Sequence, residues 1–165
     1  MKGDEIAMDA GLNIVEGVRI RLGDSLTDVK NNLTKNNIEY KLHDNGEQEN
    51  GLNTTIMFME KHGVELSINN DRIVYIKSNN SNLNYIIELT EDANILFTLN
   101  EIKEQIATMF NVNIKNIRID EFDGDNTRAS LSVKDNDGKV VKISLVRGIK
   151  NRIYMHTIRL ANYAI

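Results

Sequence analysis

Ser25 is the hydroxyl in this 165-residue chain whose surroundings best suit a nucleophile. It follows Gly23-Asp24 and precedes Leu26, where an alternating run of residues gives way to a helical one. A serine oxygen attacks an ester carbonyl only when a base takes its proton and donors hold the oxyanion. His156 is the late histidine available as that base. Ser25 with Asp28 three residues on also reads as the N-cap of a helix, which needs no further partner. The cap is the expected role.

The other reactive groups are scattered. His43, His62 and His156 fall in or beside different strands and loops, with no i, i+3 or i, i+4 pairing, so no metal site is expected. The run Asp120 to Asp125 is acidic, but it lacks the glycine at position six and the glutamate at position twelve that a helix–loop–helix calcium loop requires. A solvated hairpin tip is the simpler reading. Cysteine is absent, which removes disulfides, thiol nucleophiles and thiolate ligands. No phosphate-binding glycine loop or dinucleotide fingerprint occurs, and no cofactor is expected.

Two charged constellations remain. Asp44, Glu47 and Glu49 fall between two strands of the first half, and Glu121, Asp123 and Asp125 fall at the corresponding place in the second. Stacked in one orientation, these loops would form an acidic rim. The last hairpin has the opposite charge. With Val141, Ile143 and Leu145 inward, Lys142 and Ser144 point outward, and Arg152, Tyr154 and His156 share one face of the partner strand. No acidic residue follows Asp137, while six basic ones do, so a tail of +6 adjoins a remainder of −10. Such a tail attracts an acidic partner.

The elements that would position these groups follow from periodicity. Val18, Ile20 and Leu22 alternate with Arg19 and Arg21 as in a half-buried strand. Leu26, Val29 and Leu33 form a helical stripe that Asn36-Asn37 stops. Strands are expected at 38–42, 54–60, 64–68 and 73–77, with a turn at Asn69-Asn70-Asp71. The asparagine-rich stretch Ser78 to Asn84 reads as a linker. Strand-like runs at Tyr85 to Leu89 and near Ile95 to Phe97 lead into a helix capped by Thr98, with Leu99, Ile102, Ile106 and Phe110 inward. Strands are then expected at 116–120, 128–134, 139–146 and 152–159. The order in 18–77 thus recurs in 94–159.

The expected fold is α+β, built of two tandem copies of a helix followed by an antiparallel meander, with both helices packed on one side of the sheet. The divisions are a lead-in at 1–17, a first repeat at 18–77, a linker and connecting strand at 78–93, and a second repeat at 94–165. Hydrophobic residues at 41% and charged residues at 27% suit a folded globular chain rather than a disordered one. The 23 asparagines and 21 isoleucines reflect the bias of AT-rich coding DNA, so asparagine counts carry no functional weight. No apolar run approaches the roughly 20 residues of a membrane helix. A cytoplasmic location is expected, or a secreted or surface-attached one if the chain is a piece of a longer protein.

Gly23-Asp24-Ser25-Leu26 resembles the nucleophile block of the GDSL esterase family. That family also carries a late Asp-x-x-His block and a Gly-x-Asn-Asp block. Here Ile153 stands three residues before His156, and Gly-x-Asn-Asp is missing. A second resemblance runs through Leu22-Gly23-Asp24-Ser25, Val29, Leu33, Gly63-Val64-Glu65-Leu66 and Asp71 to Ile76. These residues are similar to the helix-plus-sheet repeat of the β-lactamase-inhibitor-protein and outer-membrane-assembly lipoprotein group. The likeness covers 18–77 well and 94–159 loosely, and the anchor cysteine of the lipoproteins is absent. It implies a non-catalytic binding surface on the exposed face of the sheet.

The expected function is therefore a non-enzymatic protein-binding module of the inhibitor, immunity or accessory kind, using Lys142, Arg152, Tyr154 and His156. The acidic loops come second. The alternatives are a serine hydrolase using Ser25 with His156, and weak nucleic-acid binding through the basic hairpin, which the acidic pI near 5.4 disfavours.

Overall fold

The computed structural model describes residues 8–47, 53–90, 95–122 and 128–163. An opening hairpin, β1 (Gly11–Val15) and β2 (Val18–Arg21), leads to the helix α1 (Leu26–Lys35). The strands β3 (Lys41–Glu47), β4 (Asn53–Met59), β5 (Val64–Asn69) and β6 (Arg72–Ser78) follow. A short strand β7 (Tyr85–Glu88) precedes the helix α2 (Ile95–Phe110), then β8 (Ile117–Phe122), β9 (Arg128–Lys134), β10 (Val140–Arg147) and β11 (Arg152–Leu160).

Strands β3 to β11 form one nine-stranded antiparallel sheet. Its order is β3-β4-β5-β6-β11-β10-β9-β8, with β7 pairing the part of β11 that β6 leaves free. Alternation dictates its two faces. A single line of register partners, Met57, Leu66, Ile76, Ile158, Ile143, Leu131 and Ile119, crosses seven strands on the inner face. The first six of these are at most 1% exposed. The same buried cluster takes in Leu12, Ile14, Val18 and Ile20 of the hairpin, Val29 and Leu33 of α1, and Leu99, Ile102, Ile106 and Phe110 of α2. Burying each such side chain contributes about 1.5–3 kcal/mol.

Local chemistry fixes the ends of α1. The Ser25 backbone is extended (φ −75°, ψ 149°) and its hydroxyl accepts a hydrogen bond from the Asp28 amide at 3.1 Å. At the other end Asn37 takes a left-handed conformation (φ 57°), and the Ile38 amide returns to the Leu33 carbonyl at 2.9 Å. The turn between β5 and β6 places Asn70 and Asp71 at positive φ, as a tight hairpin requires. It is tied to the start of α1 by hydrogen bonds from Gly23 to Ile73, Ile73 to Asp24 and Leu26 to Asp71.

Several expectations are corrected. The α+β class, with two tandem helix-plus-meander copies and a helical layer on the sheet, gives way to a mostly antiparallel-sheet fold. About 50% of the structure is strand and 24% helix, with only two helices among the described residues. Pairing across β6 and β11 runs the strands into one sheet with one core, β7 joins that sheet by pairing with β11, and β2 pairs outside it with β1. Capped helices and hairpins are legible locally, whereas the sheet is made by pairings that span the chain. The segment expected as a lead-in contains β1, whose Leu12 and Ile14 are fully buried. Ile95 to Phe97, expected as strand, are the first residues of α2, so Thr98 lies within the helix rather than at its cap.

The 78–84 stretch is a packed connection rather than a free linker. Asn84 is 1% exposed, and its side-chain amide pairs with the backbone of β1. The Asn13 amide donates to Asn84 Oδ1 at 2.9 Å, and Asn84 Nδ2 donates to the Asn13 carbonyl at 2.9 Å. The Asn84 carbonyl in turn accepts from the Met155 amide at 3.0 Å. One residue therefore joins the opening hairpin to the central strand. Among the described residues no helix is long and apolar enough to cross a membrane.

Candidate binding face

The outer face of the sheet carries the polar residues that alternate with the core. One row of register partners runs Lys77, Thr157, Ser144, Ser130 and Glu121, from β6 to β8. The adjacent row runs Tyr75, Arg159, Lys142 and Ser132. Short hydroxyl side chains on three neighbouring strands lie beside a row containing the long Arg159 and Lys142. The result is an open depression of about 260 Å³ over Ser130, Ser144 and Thr157, with Asp120 and Glu121 towards the β8 edge. A second hollow of about 420 Å³ shares Glu121, Ser130 and Ser144 with it and adds Phe122 and Arg128.

A charge clamp borders the depression. Asp120 Oδ1 accepts from Arg118 Nε at 2.8 Å, and Oδ2 accepts from Lys142 Nζ at 3.2 Å and from the Ser132 hydroxyl. Lys142 Nζ also donates to Ser132 Oγ at 2.6 Å. Desolvation alone would raise the Asp120 pKa, but the hydrogen bonds from Ser132, Arg118 and Lys142 outweigh it and hold the carboxyl below its usual range. The Ser–Lys pairing is reminiscent of a nucleophile and its base. However, Lys142 commits donors to both Asp120 and Ser132, and Ser132 is only 6% exposed and does not line the depression. The cluster is built to hold charges in place.

Arg159 supports the C-terminal turn. Its Nη1 donates to the carbonyls of Leu160, Ala161 and Tyr163, the last at 2.9 Å, and the Tyr163 ring lies 6.0 Å from that of Tyr75. Burial, then the neighbouring Glu65, raises the Tyr75 pKa.

The structure separates the residues expected to act together. Lys142 sits opposite Arg159, while Arg152 sits opposite Glu88 of β7, seven residues away along β11 and so roughly 20 Å distant. Arg152 stacks over the exposed Tyr85 ring at 4.6 Å and donates to Asn82 Oδ1 at 2.7 Å. Tyr154 is 8% exposed, and its ring passes so close to Gly148 that a Cβ there would stand 2.9 Å from it. That ring is unavailable as a contact. His156 is half-buried, edge-on to Tyr154 at 5.9 Å, with Nδ1 3.1 Å from the Ser78 carbonyl. Desolvation chiefly, with smaller effects from Lys77 and Arg128, lowers its pKa despite the Ser78 bond.

The acidic positions do not meet either. Asp44 and Glu47 belong to β3 and Glu121 to β8, the two opposite edges of the sheet, roughly 34 Å apart at the usual strand spacing. Glu49, Asp123 and Asp125 lie outside the described residues. Among the described residues no three His, Asp or Glu side chains gather as a metal site. Ser25 and His156 stand at opposite ends of β6, beside Arg72 and Ser78 respectively, which places them roughly 20 Å apart.

Sequence reasoning passed over Lys77, Arg128, Ser130, Thr157 and Arg159. Their alternation with apolar residues was readable; that β6 and β11 would lie side by side was not. No family model, curated protein or solved structure matches the chain.

Proposed function

We propose that the chain is a non-enzymatic protein-binding module, of the inhibitor, immunity or accessory kind, that docks its partner on the outer face of the sheet. The observation that carries this reading is the open centre of that face, where Lys77, Ser130, Lys142, Ser144 and Thr157 are all partly exposed although they lie on adjacent, central strands. Eight strands side by side give a face roughly 34 Å wide and 20 Å high, about 700 Å². A specific interface needs about 800 Å² per partner. Geometry weighs against the hydrolase alternative, since the Ser25 oxygen is occupied by the Asp28 amide and His156 is remote.

The test is differential capture. The chain is used as bait alongside an outer-face variant, Lys142→Glu with Ser144→Arg, and a helix-side variant, Lys35→Glu with Glu104→Lys. A partner retained by the wild type and the helix-side variant but lost by the outer-face variant supports the reading. A partner that the outer-face variant keeps and the helix-side variant loses would overturn it.

A further inference from the structure

We infer, resting on that reading of the outer face, that the β11 side of the depression, at Thr157, receives a carboxylate of an acidic partner segment. Thr157 has Lys77 beside it on β6 and Ser144 beside it on β10, with Ser130 one strand further. Three hydroxyls thus form the floor, and each can donate to an oxygen anion. Arg159 follows two residues along the same face. Lys77 is the register partner of Thr157, and Arg128 lines the adjoining hollow with Ser130 and Ser144, so both cations border the same floor.

The charges around this floor are unevenly matched. Lys142 is paired with Asp120. Lys77, Arg128 and Arg159 form no ion pair among the described residues. Among the described residues the Arg159 guanidinium pairs with no carboxylate and bonds backbone carbonyls. The competing anions stand away from Thr157 itself: Glu65, in register with Lys77, is two strands off, roughly 10 Å, and Glu121, on the β8 side of the same depression, is three, roughly 14 Å. A single carboxylate set over Thr157 therefore meets cations first and the carboxylates at a distance.

This spacing also selects the class of ligand. A nucleic-acid strand carries a phosphate at every nucleotide, and a backbone laid across the strands would meet Glu65 on one side and Glu121 on the other. An isolated side-chain carboxylate meets neither, and a short acidic stretch avoids both where it runs along β11 rather than across the strands. The rim cations would steer such a segment to the face and fix its register.

The experiment uses the full chain labelled with ¹⁵N and titrated with a hexaglutamate peptide, with sodium phosphate and oligothymidine in parallel. Saturable shifts of the Lys77, Ser144 and Thr157 amides with hexaglutamate are expected. Lys77→Glu and Arg128→Glu should each weaken binding about tenfold, while Lys35→Glu on α1 leaves it unchanged. Thr157→Ala, which removes a hydroxyl and no charge, guards against a refolded surface and should also weaken binding. Shifts spread over every basic residue and indifferent to Lys77→Glu would overturn the inference. So would tighter binding of oligothymidine, or a phosphate titration that reproduces the whole pattern. If the outer-face variant loses its partner while hexaglutamate leaves Thr157 unmoved, the docking face stands and the carboxylate site is withdrawn.

Discussion

Removing the Asn84 side chain should destabilise the fold more than any other single change to an asparagine among the described residues. Asn84→Ala deletes two 2.9 Å hydrogen bonds to the Asn13 backbone and leaves that amide and carbonyl facing an apolar gap. Each bond contributes about 1 kcal/mol net, and an unsatisfied buried group costs about 1–3 kcal/mol. Asn13 is partly rather than fully buried, so water recovers some of the second term. The expected loss is about 2–4 kcal/mol, read from the urea midpoint by circular dichroism at constant m-value. Asn84→Asp adds a sharper test. The carboxylate still accepts from the Asn13 amide but sets a second oxygen against the Asn13 carbonyl, and burial raises its folded pKa above the unfolded value of about 3.9. A group with a raised folded pKa contributes stability fully below the unfolded value and loses it as pH rises through the folded one. The Asp variant should therefore approach wild-type stability in acid and fall towards the Ala variant at neutral pH. A loss below about 0.5 kcal/mol for Asn84→Ala, or an Asp variant with no such pH trend, would refute the bridging role.

Two further outcomes are expected. Ser25→Ala should lower stability by about 0.5–2 kcal/mol, the range for a lost N-cap; an unchanged melting temperature together with loss of hydrolysis of a nitrophenyl ester would instead point to a nucleophile. His156 is held by desolvation below the ordinary histidine pKa of about 6.5. Its stabilising effect is thus complete above that pH and is lost as pH falls towards the folded pKa and past it. Imidazole titration by NMR should give a midpoint below 6.5, and His156→Gln should flatten the stability profile over that acid range; a midpoint above 6.5 would contradict the packing described.

What the sequence showed and what it hid divide along chain distance. The α1 cap, its Val29 and Leu33 stripe, the stop at Asn36-Asn37 and the turn at Asn70-Asp71 are all settled by neighbours within about five residues, and each is legible. Strands at Arg128–Lys134 and Val140–Arg147 were similarly readable from alternation. The opposite holds where tertiary contacts decide. Ile95 to Phe97 have the bulky and branched side chains of a strand, yet belong to a helix. Asn84 looked like one more asparagine in a polar stretch, because nothing local reveals that its amide substitutes for a strand partner of Asn13. The site suffers in the same way. Tyr154 has the right alternation for exposure, but Gly148 and the connection through Ser81 fold over it. Lys77 and Thr157 become neighbours only because β6 and β11 pair.

That pairing has a consequence for how the chain folds. The join between β6 and β11 consists of three register partners, Lys77 with Thr157, Ile76 with Ile158 and Tyr75 with Arg159, about 80 residues apart in the chain. The flanking meanders are assembled from adjacent hairpins, whose loop-closure entropy is small, whereas this seam must close a loop more than tenfold longer for very few hydrogen bonds. The slow step of folding should accordingly be the meeting of two preformed meanders. Mutations at Ile76 or Ile158 should retard folding, while those within a hairpin mainly hasten unfolding. Because Thr157 lies on this seam, the candidate carboxylate pocket comes into existence only at that last closure.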